Sequence, residues 1–196
     1  MREAQWIGIA AIEAFFGWTE HVLIQIAIFQ GKVTTGDAVD KLARAEWSEK
    51  VKTALEINNP TVKSVYDRLL SVRTQIRNYM AHGAFGKGGE AFEFHSDAGA
   101  VPVRLTERVG RGRFSLLVEQ LFDEGQALEA ADAFVAMLWS GGRAPAKLYL
   151  QESSLPVILS YAADGTYKAA MTSEEAMAQF IEGLEDRFDR FANMDW

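Results

Sequence analysis

No cysteine occurs among the 196 residues, so neither a disulfide nor a thiolate metal site is possible, a composition expected of a cytoplasmic protein. Histidine is nearly as scarce. His21, His82 and His95 lie far apart and make no metal-ligand spacing of the HExxH kind, which argues against a zinc enzyme, and we expect no metal and no cofactor. An excess of positive charge is also missing: the net charge of −7 speaks against a broad, sequence-independent nucleic-acid binder. Internal repeats and low-complexity tracts are absent. The one long apolar stretch, Trp6 to Phe29, is flanked by Gln5 and broken by Glu13, Glu20, His21 and Gln25, and Glu3 stands beside Arg2 at the terminus. That pattern predicts no signal peptide and no membrane association, but a buried helix that packs on its own bundle on one side and on a second subunit on the other. Glu13 and Glu20 are expected to pair with an arginine or face solvent.

What is present is enough apolar material, 48% of residues, for a sizeable core in one domain or one domain with an appendage. After the first helix, Gly31 and the Thr34-Thr35-Gly36-Asp37 turn introduce a shorter helical pair reaching about Ile57, with Thr35 or Asp37 as a cap. Asn59 is a good N-cap and Pro60 suits the first helical position. Val62, Val65, Tyr66, Leu69, Val72, Ile76 and Met80 then follow at three- and four-residue spacing, predicting a long helix that Gly83 stops. Gly83, Gly86, Gly88 and Gly89 lead into a loop beside that helix end, a candidate flap. It is no phosphate-binding P-loop, because Gly88 follows Lys87 where Ser or Thr belongs and a helix precedes it.

Alternating patterns at 91–94 and 101–105 predict a hairpin, with Phe114 to Val118 a third strand. A further helix is expected from Asp123 to Trp139, ended by Gly141-Gly142. Short strands are expected at 147–150 and 156–161, then a final amphipathic helix capped by Ser173 with Phe180, Ile181, Leu184, Phe188 and Phe191 on one face. The predicted architecture is therefore mainly α: a helical domain over residues 1–143 carrying a β-hairpin at about 90–118, and a short β/α extension over 144–196 packed on the same domain.

The chemistry concentrates in Arg77-Asn78-Tyr79-Met80-Ala81-His82-Gly83, where a guanidinium, a carboxamide and an imidazole come together at the end of the long helix. Arginine presents a planar fork that matches a phosphate and stabilises the charge growing on a pentavalent phosphorus. Histidine titrates near neutrality and can take a proton from a ribose 2'-hydroxyl or give one to a departing 5'-oxygen. Asn78 is four residues from His82 and can orient either group. This set suffices for cleaving a phosphodiester without a metal, with Arg77, Asn78 and His82 as the catalytic residues. Acid/base cleavage needs two proton-transfer groups and each chain offers one here, so the hypothesis requires a homodimer. The bland alternative is that His82 before Gly83, with Arg77 one turn earlier, merely complements the last carbonyls and the dipole of the helix.

The run RNYMAHG at the end of a long helix resembles the signature of HEPN domains, in which Arg, often followed by a polar residue, precedes His by four to six positions. The resemblance implies a helical bundle that dimerises through the motif-bearing helices. It also implies, for many members, a metal-independent endoribonuclease of toxin-antitoxin, phage-defence or RNA-processing systems, with a cognate antitoxin or nucleotidyltransferase as partner. Some members are non-catalytic binding modules. Many toxin members carry Tyr two residues after the His, where this chain has Ala84.

Residues 61–113 carry nine Lys or Arg against five Asp or Glu, a local balance of +4 that leaves −11 for the remainder. Arg73, Lys87, Arg111 and Arg113 are expected to hold RNA backbone beside the helix end; the alternative for the arginines around Gly110-Arg111-Gly112 is a solvated hairpin tip. Two functional readings result: an RNA-cleaving homodimer giving 2',3'-cyclic phosphate ends, or a non-catalytic helical module that binds a nucleotide or a protein partner.

Overall fold

Three polar side chains open helices where the sequence places them. In the computed structural model, which describes residues 2–82, 106–108, 114–115 and 124–193, the Thr35 hydroxyl accepts from Ala38 N at 3.3 Å, the Asn59 carboxamide from Thr61 N at 2.9 Å, and the Ser173 hydroxyl from Ala176 N at 3.1 Å. Each bond satisfies an amide that the first helical turn leaves without an intrahelical acceptor. The elements are α1 (Arg2–Phe29), α2 (Gly36–Arg44), α3 (Trp47–Ala54), α4 (Pro60–His82), α5 (Glu124–Leu138), α6 (Ala144–Lys147), α7 (Leu159–Ala163), α8 (Thr166–Ala170) and α9 (Glu174–Ala192). A 3₁₀ turn at Gly141–Arg143 and a π turn at Leu148–Glu152 flank α6. Two short strands, β1 (Thr106–Arg108) and β2 (Phe114–Ser115), pair antiparallel. The predicted strands at 91–94 and 101–105 lie outside the described residues, as does the glycine loop after His82.

The chain forms two compact units, Met1–Phe16 with Lys63–Phe134, and Gly17–Val62 with Val135–Trp196. In the first, α4 buries Tyr66, Leu69 and Val72 at the predicted spacing, and α5 buries Ala127, Ala130 and Phe134. Phe15 of α1 meets Phe134 edge-on at 6.3 Å between ring centroids, and the Arg73 guanidinium of α4 lies 5.3 Å above the Phe16 ring. An exposed ion pair, Arg68 Nη2 to Glu129 Oε2 at 2.9 Å, also joins α4 to α5; at that exposure it adds little stability.

The second unit is organised around aromatic rings. Phe29 stacks on Tyr167 with centroids 4.0 Å apart, Tyr149 lies 4.9 Å from Phe29, and Phe180 stands edge-on to Tyr167 at 5.7 Å. The two tyrosine hydroxyls are satisfied by backbone: Tyr149 donates to Pro156 O at 2.7 Å, and Tyr167 accepts from Ile158 N at 2.7 Å. Helix α1 buries Leu23, Ile26, Ala27 and Phe29 almost completely, and Ala27, Ile28 and Phe29 belong to the core that holds this cluster. Trp47 Nε1 of α3 donates to Thr19 Oγ1 at 3.0 Å, and the buried Lys50 reaches Glu20 Oε2 at 2.7 Å. Glu20 thus pairs, as expected, but with a lysine; Glu13 is exposed.

The strands expected at 147–150 and 156–161 are not strands. Residues 144–152 continue as helix and π turn, with Pro145 in the first turn of α6, where a missing amide costs nothing. Residues 153–158 run without a ladder, and 159–163 form α7. Short apolar runs such as Leu148-Tyr149-Leu150 carry no decisive period, and in the second run Pro156 O and Ile158 N bond to tyrosine hydroxyls rather than to a ladder.

The segment Ala10–Phe29 is long and apolar enough to cross a membrane by length and composition, and 44% of it is buried within the protein. Its second half is the buried part; Ile7, Ala10, Ala11 and Ala14 are exposed.

Glu20→Gln leaves the Lys50 ammonium buried without its counter-charge and is expected to lower unfolding free energy by about 1–3 kcal/mol, less than for a wholly buried pair because Glu20 is partly solvated. Adding Lys50→Met recovers most of the loss, as read by urea denaturation of the single and double variants. Tyr167→Phe orphans Ile158 N and is expected to cost about 1–3 kcal/mol in the same assay.

Candidate functional site

Helix α4 runs without interruption from the Asn59 cap to His82. The backbone of Arg77, Asn78 and His82 therefore occupies its last two turns. Helical geometry puts Asn78 and His82 about 6 Å apart along the axis and about 40° apart around it, whereas Arg77 and His82 differ by about 140°. Arg73 precedes Arg77 by one turn on the same face. Its guanidinium lies over Phe16 on a partly buried side chain, an arrangement that fixes its direction. The other expected RNA contacts, Lys87, Arg111 and Arg113, lie outside the described residues.

A second candidate was not singled out from the sequence. A cleft of about 490 Å³ in the second unit is lined by Gln30, Lys32, Glu56, Asn59, Val62, Ser140, Gly141, Gly142 and Arg143. Its residues come from four chain breaks: the exit of α1, the end of α3, the start of α4 and the exit of α5. Gly141 has φ +60°, a left-handed conformation that glycine adopts without a steric penalty, and it turns the chain so that Arg143 folds back on α5. Arg143 Nε donates to Leu138 O at 2.8 Å, and its Nη2 donates to Met137 O at 2.6 Å and to Ser140 Oγ at 3.3 Å. Lys32 Nζ makes a long contact to Ala54 O at 3.4 Å. Both cations thus sit near the negative ends of helices.

Burial lowers the Lys32 ammonium from its ordinary value; the Glu56 carboxylate opposes that shift and the Arg143 charge adds to it. Burial likewise lowers Arg143, again opposed by Glu56. Among the described residues neither cation has a carboxylate within ion-pair distance. Gln30 Oε1 is buried without a hydrogen-bond partner, a state that costs about 1–3 kcal/mol when nothing fills it. The sequence signal for this cleft was faint: Gly31-Lys32 and Gly141-Gly142-Arg143 both place a cation just past a helix exit. No group of three or more His, Asp or Glu side chains with metal-holding placement occurs among the described residues.

Comparison of the chain with protein-family models, with curated proteins and with solved structures finds no match in any of the three. Function rests on the residues themselves.

Because the folded state depresses Lys32, its charged form is held at a cost at neutral pH. That cost disappears as pH rises through the lowered value towards the ordinary 10.5. Lys32→Met is expected to raise the melting temperature at pH 7, by under about 1 kcal/mol equivalent since solvent screens this partly exposed group. The gain should narrow in melts recorded at increasing pH up to 10.

Proposed function

We propose that this chain is a dimeric, metal-independent endoribonuclease of HEPN type, acting in the cytoplasm, with its site at the C-terminal end of α4. The observation that carries the reading is the Arg77-Asn78-x3-His82 run in the last two turns of one uninterrupted helix. In this mechanism Arg77 binds the scissile phosphate and Asn78 positions it. His82 of one protomer takes the proton from the ribose 2'-hydroxyl as the 2'-oxygen bonds to phosphorus. His82 of the second protomer protonates the 5'-oxygen as its bond to phosphorus breaks, which leaves a 2',3'-cyclic phosphate and a 5'-hydroxyl. Arg73, Lys87, Arg111 and Arg113 hold the flanking backbone, in keeping with the local balance of +4 on an acidic chain.

The dimer has support of its own. Ile7, Ala10, Ala11 and Ala14 recur at the three- and four-residue spacing of one helical face, and all four are exposed in the single chain. Small residues on such a face let a second helix approach closely. The toxin-antitoxin or phage-defence setting, with an antitoxin or nucleotidyltransferase as partner, follows from the resemblance alone, and Ala84 in place of the usual Tyr weighs against the toxin subgroup.

Purified protein incubated with structured and single-stranded RNAs in EDTA is expected to give cleavage with cyclic phosphate ends. His82→Ala should lower the rate by at least about 10²-fold, and Arg77→Ala by about 10²- to 10³-fold. No cleavage, or equal cleavage by wild type and His82→Ala, would replace this reading with the non-catalytic binding module.

A further inference from the structure

Lys32 and Arg143 pose an electrostatic question that the catalytic reading leaves untouched. Two cations line one cleft, each disfavoured by burial, and the Arg143 charge adds to the cost of the Lys32 charge; among the described residues Glu56 is the carboxylate that lines the cleft, outside ion-pair distance. The formal charge of the lining is +1. The start of α4 adds the positive end of a 23-residue helix at Asn59 and Val62. Arg143 engages Nε and Nη2 with the carbonyls that end α5, which fixes the plane of the guanidinium and leaves Nη1 without a partner among the described residues. Gln30 also lines the cleft, with its carboxamide oxygen buried and unpartnered and its Nε2 a donor.

We propose that the cleft between Lys32, Arg143 and the start of α4 binds a small phosphorylated anion. A phosphate brings charge that relieves the repulsion between the two cations, and oxygens that accept from Nη1, from the ammonium and from the Gln30 amide. A volume of about 490 Å³ holds a diphosphate with room for an attached organic group. Among the described residues no aromatic side chain lines the cleft, so the phosphate supplies the recognition and stacking on a base does not. Glu56 limits affinity by facing the same space. The site is independent of the Arg77–His82 chemistry and stands or falls separately from it.

The test is isothermal titration of the full chain with inorganic pyrophosphate, adenosine diphosphate and adenosine. Pyrophosphate and adenosine diphosphate are expected to bind, and adenosine is not. At about 0.05 M ionic strength Lys32→Gln should weaken pyrophosphate by about five- to tenfold and Glu56→Gln should tighten it by about two- to fivefold. Both residues are exposed, with the Lys32 ammonium partly sheltered beside Ala54 O, and neither belongs to the core, so circular dichroism of the variants should match wild type. Binding of pyrophosphate and the diphosphate with the same response to both variants assigns the site to phosphate from either source. Binding of the diphosphate alone, with that response, assigns it to phosphate carried on a nucleoside. Absence of binding by both, or binding that neither variant changes, overturns the proposal.

Discussion

Phe29 stacked on Tyr167 at 4.0 Å is the contact around which the second unit is assembled, because it joins the last residue of α1 to a helix 138 positions later in the chain. Both rings are buried, and Tyr149, Tyr161 and Phe180 close around them. Stacking accounts for only part of the effect. Each buried hydroxyl needs a partner, and the partners are Pro156 O and Ile158 N, so the chain just before α7 is tied to the same two rings. Once α1 is anchored there, Thr19 and Glu20 stand where Trp47 and Lys50 of α3 can reach them. The cores of α3, α6, α8 and α9 follow from one aromatic anchor and two polar pins.

In the first unit the constraint is the length of α4. A helix of 23 residues that opens on Asn59 and buries Tyr66, Leu69 and Val72 places the backbone of Arg77, Asn78 and His82 in its last two turns. Apolar residues on its first turns fix the direction of the helix, and the polar residues of the proposed site follow at its end. The Arg73 guanidinium above Phe16 marks the changeover, being both a packing element and a charge one turn from Arg77.

How much of this was legible in the sequence depended on whether the signal was local. Asn59-Pro60, Thr35 and Ser173 announced helix starts through capping chemistry, and the Gly141-Gly142 stop is realised with a positive φ at Gly141. The spacing of Val62, Tyr66, Leu69 and Val72 gave the buried face of α4 correctly. The strands expected at 147–150 and 156–161 were misread because runs of four to six residues, mostly apolar, fit either period, and the hydrogen bonds of Pro156 O and Ile158 N go to tyrosine hydroxyls that periodicity does not reveal. The face expected on α9 is realised at Phe180, Ile181 and Leu184, while Phe188 and Phe191 beyond them are exposed, a distinction that periodicity does not carry. The cleft of Lys32 and Arg143 was invisible for the same reason: its charges come from four separate helix ends, and no motif links them.

A site completed by two copies of His82, as proposed, has a direct stoichiometric readout. Wild type and His82→Ala chains are co-expressed in varied ratio, so that mixed dimers form, and metal-free RNA cleavage is measured at constant total protein. If both imidazoles are needed in one site, only wild-type dimers cut and activity follows the square of the wild-type fraction. Activity proportional to the fraction itself would mean that each chain works alone and would contradict the composite site, and absence of cleavage at every fraction would contradict the catalytic reading as a whole.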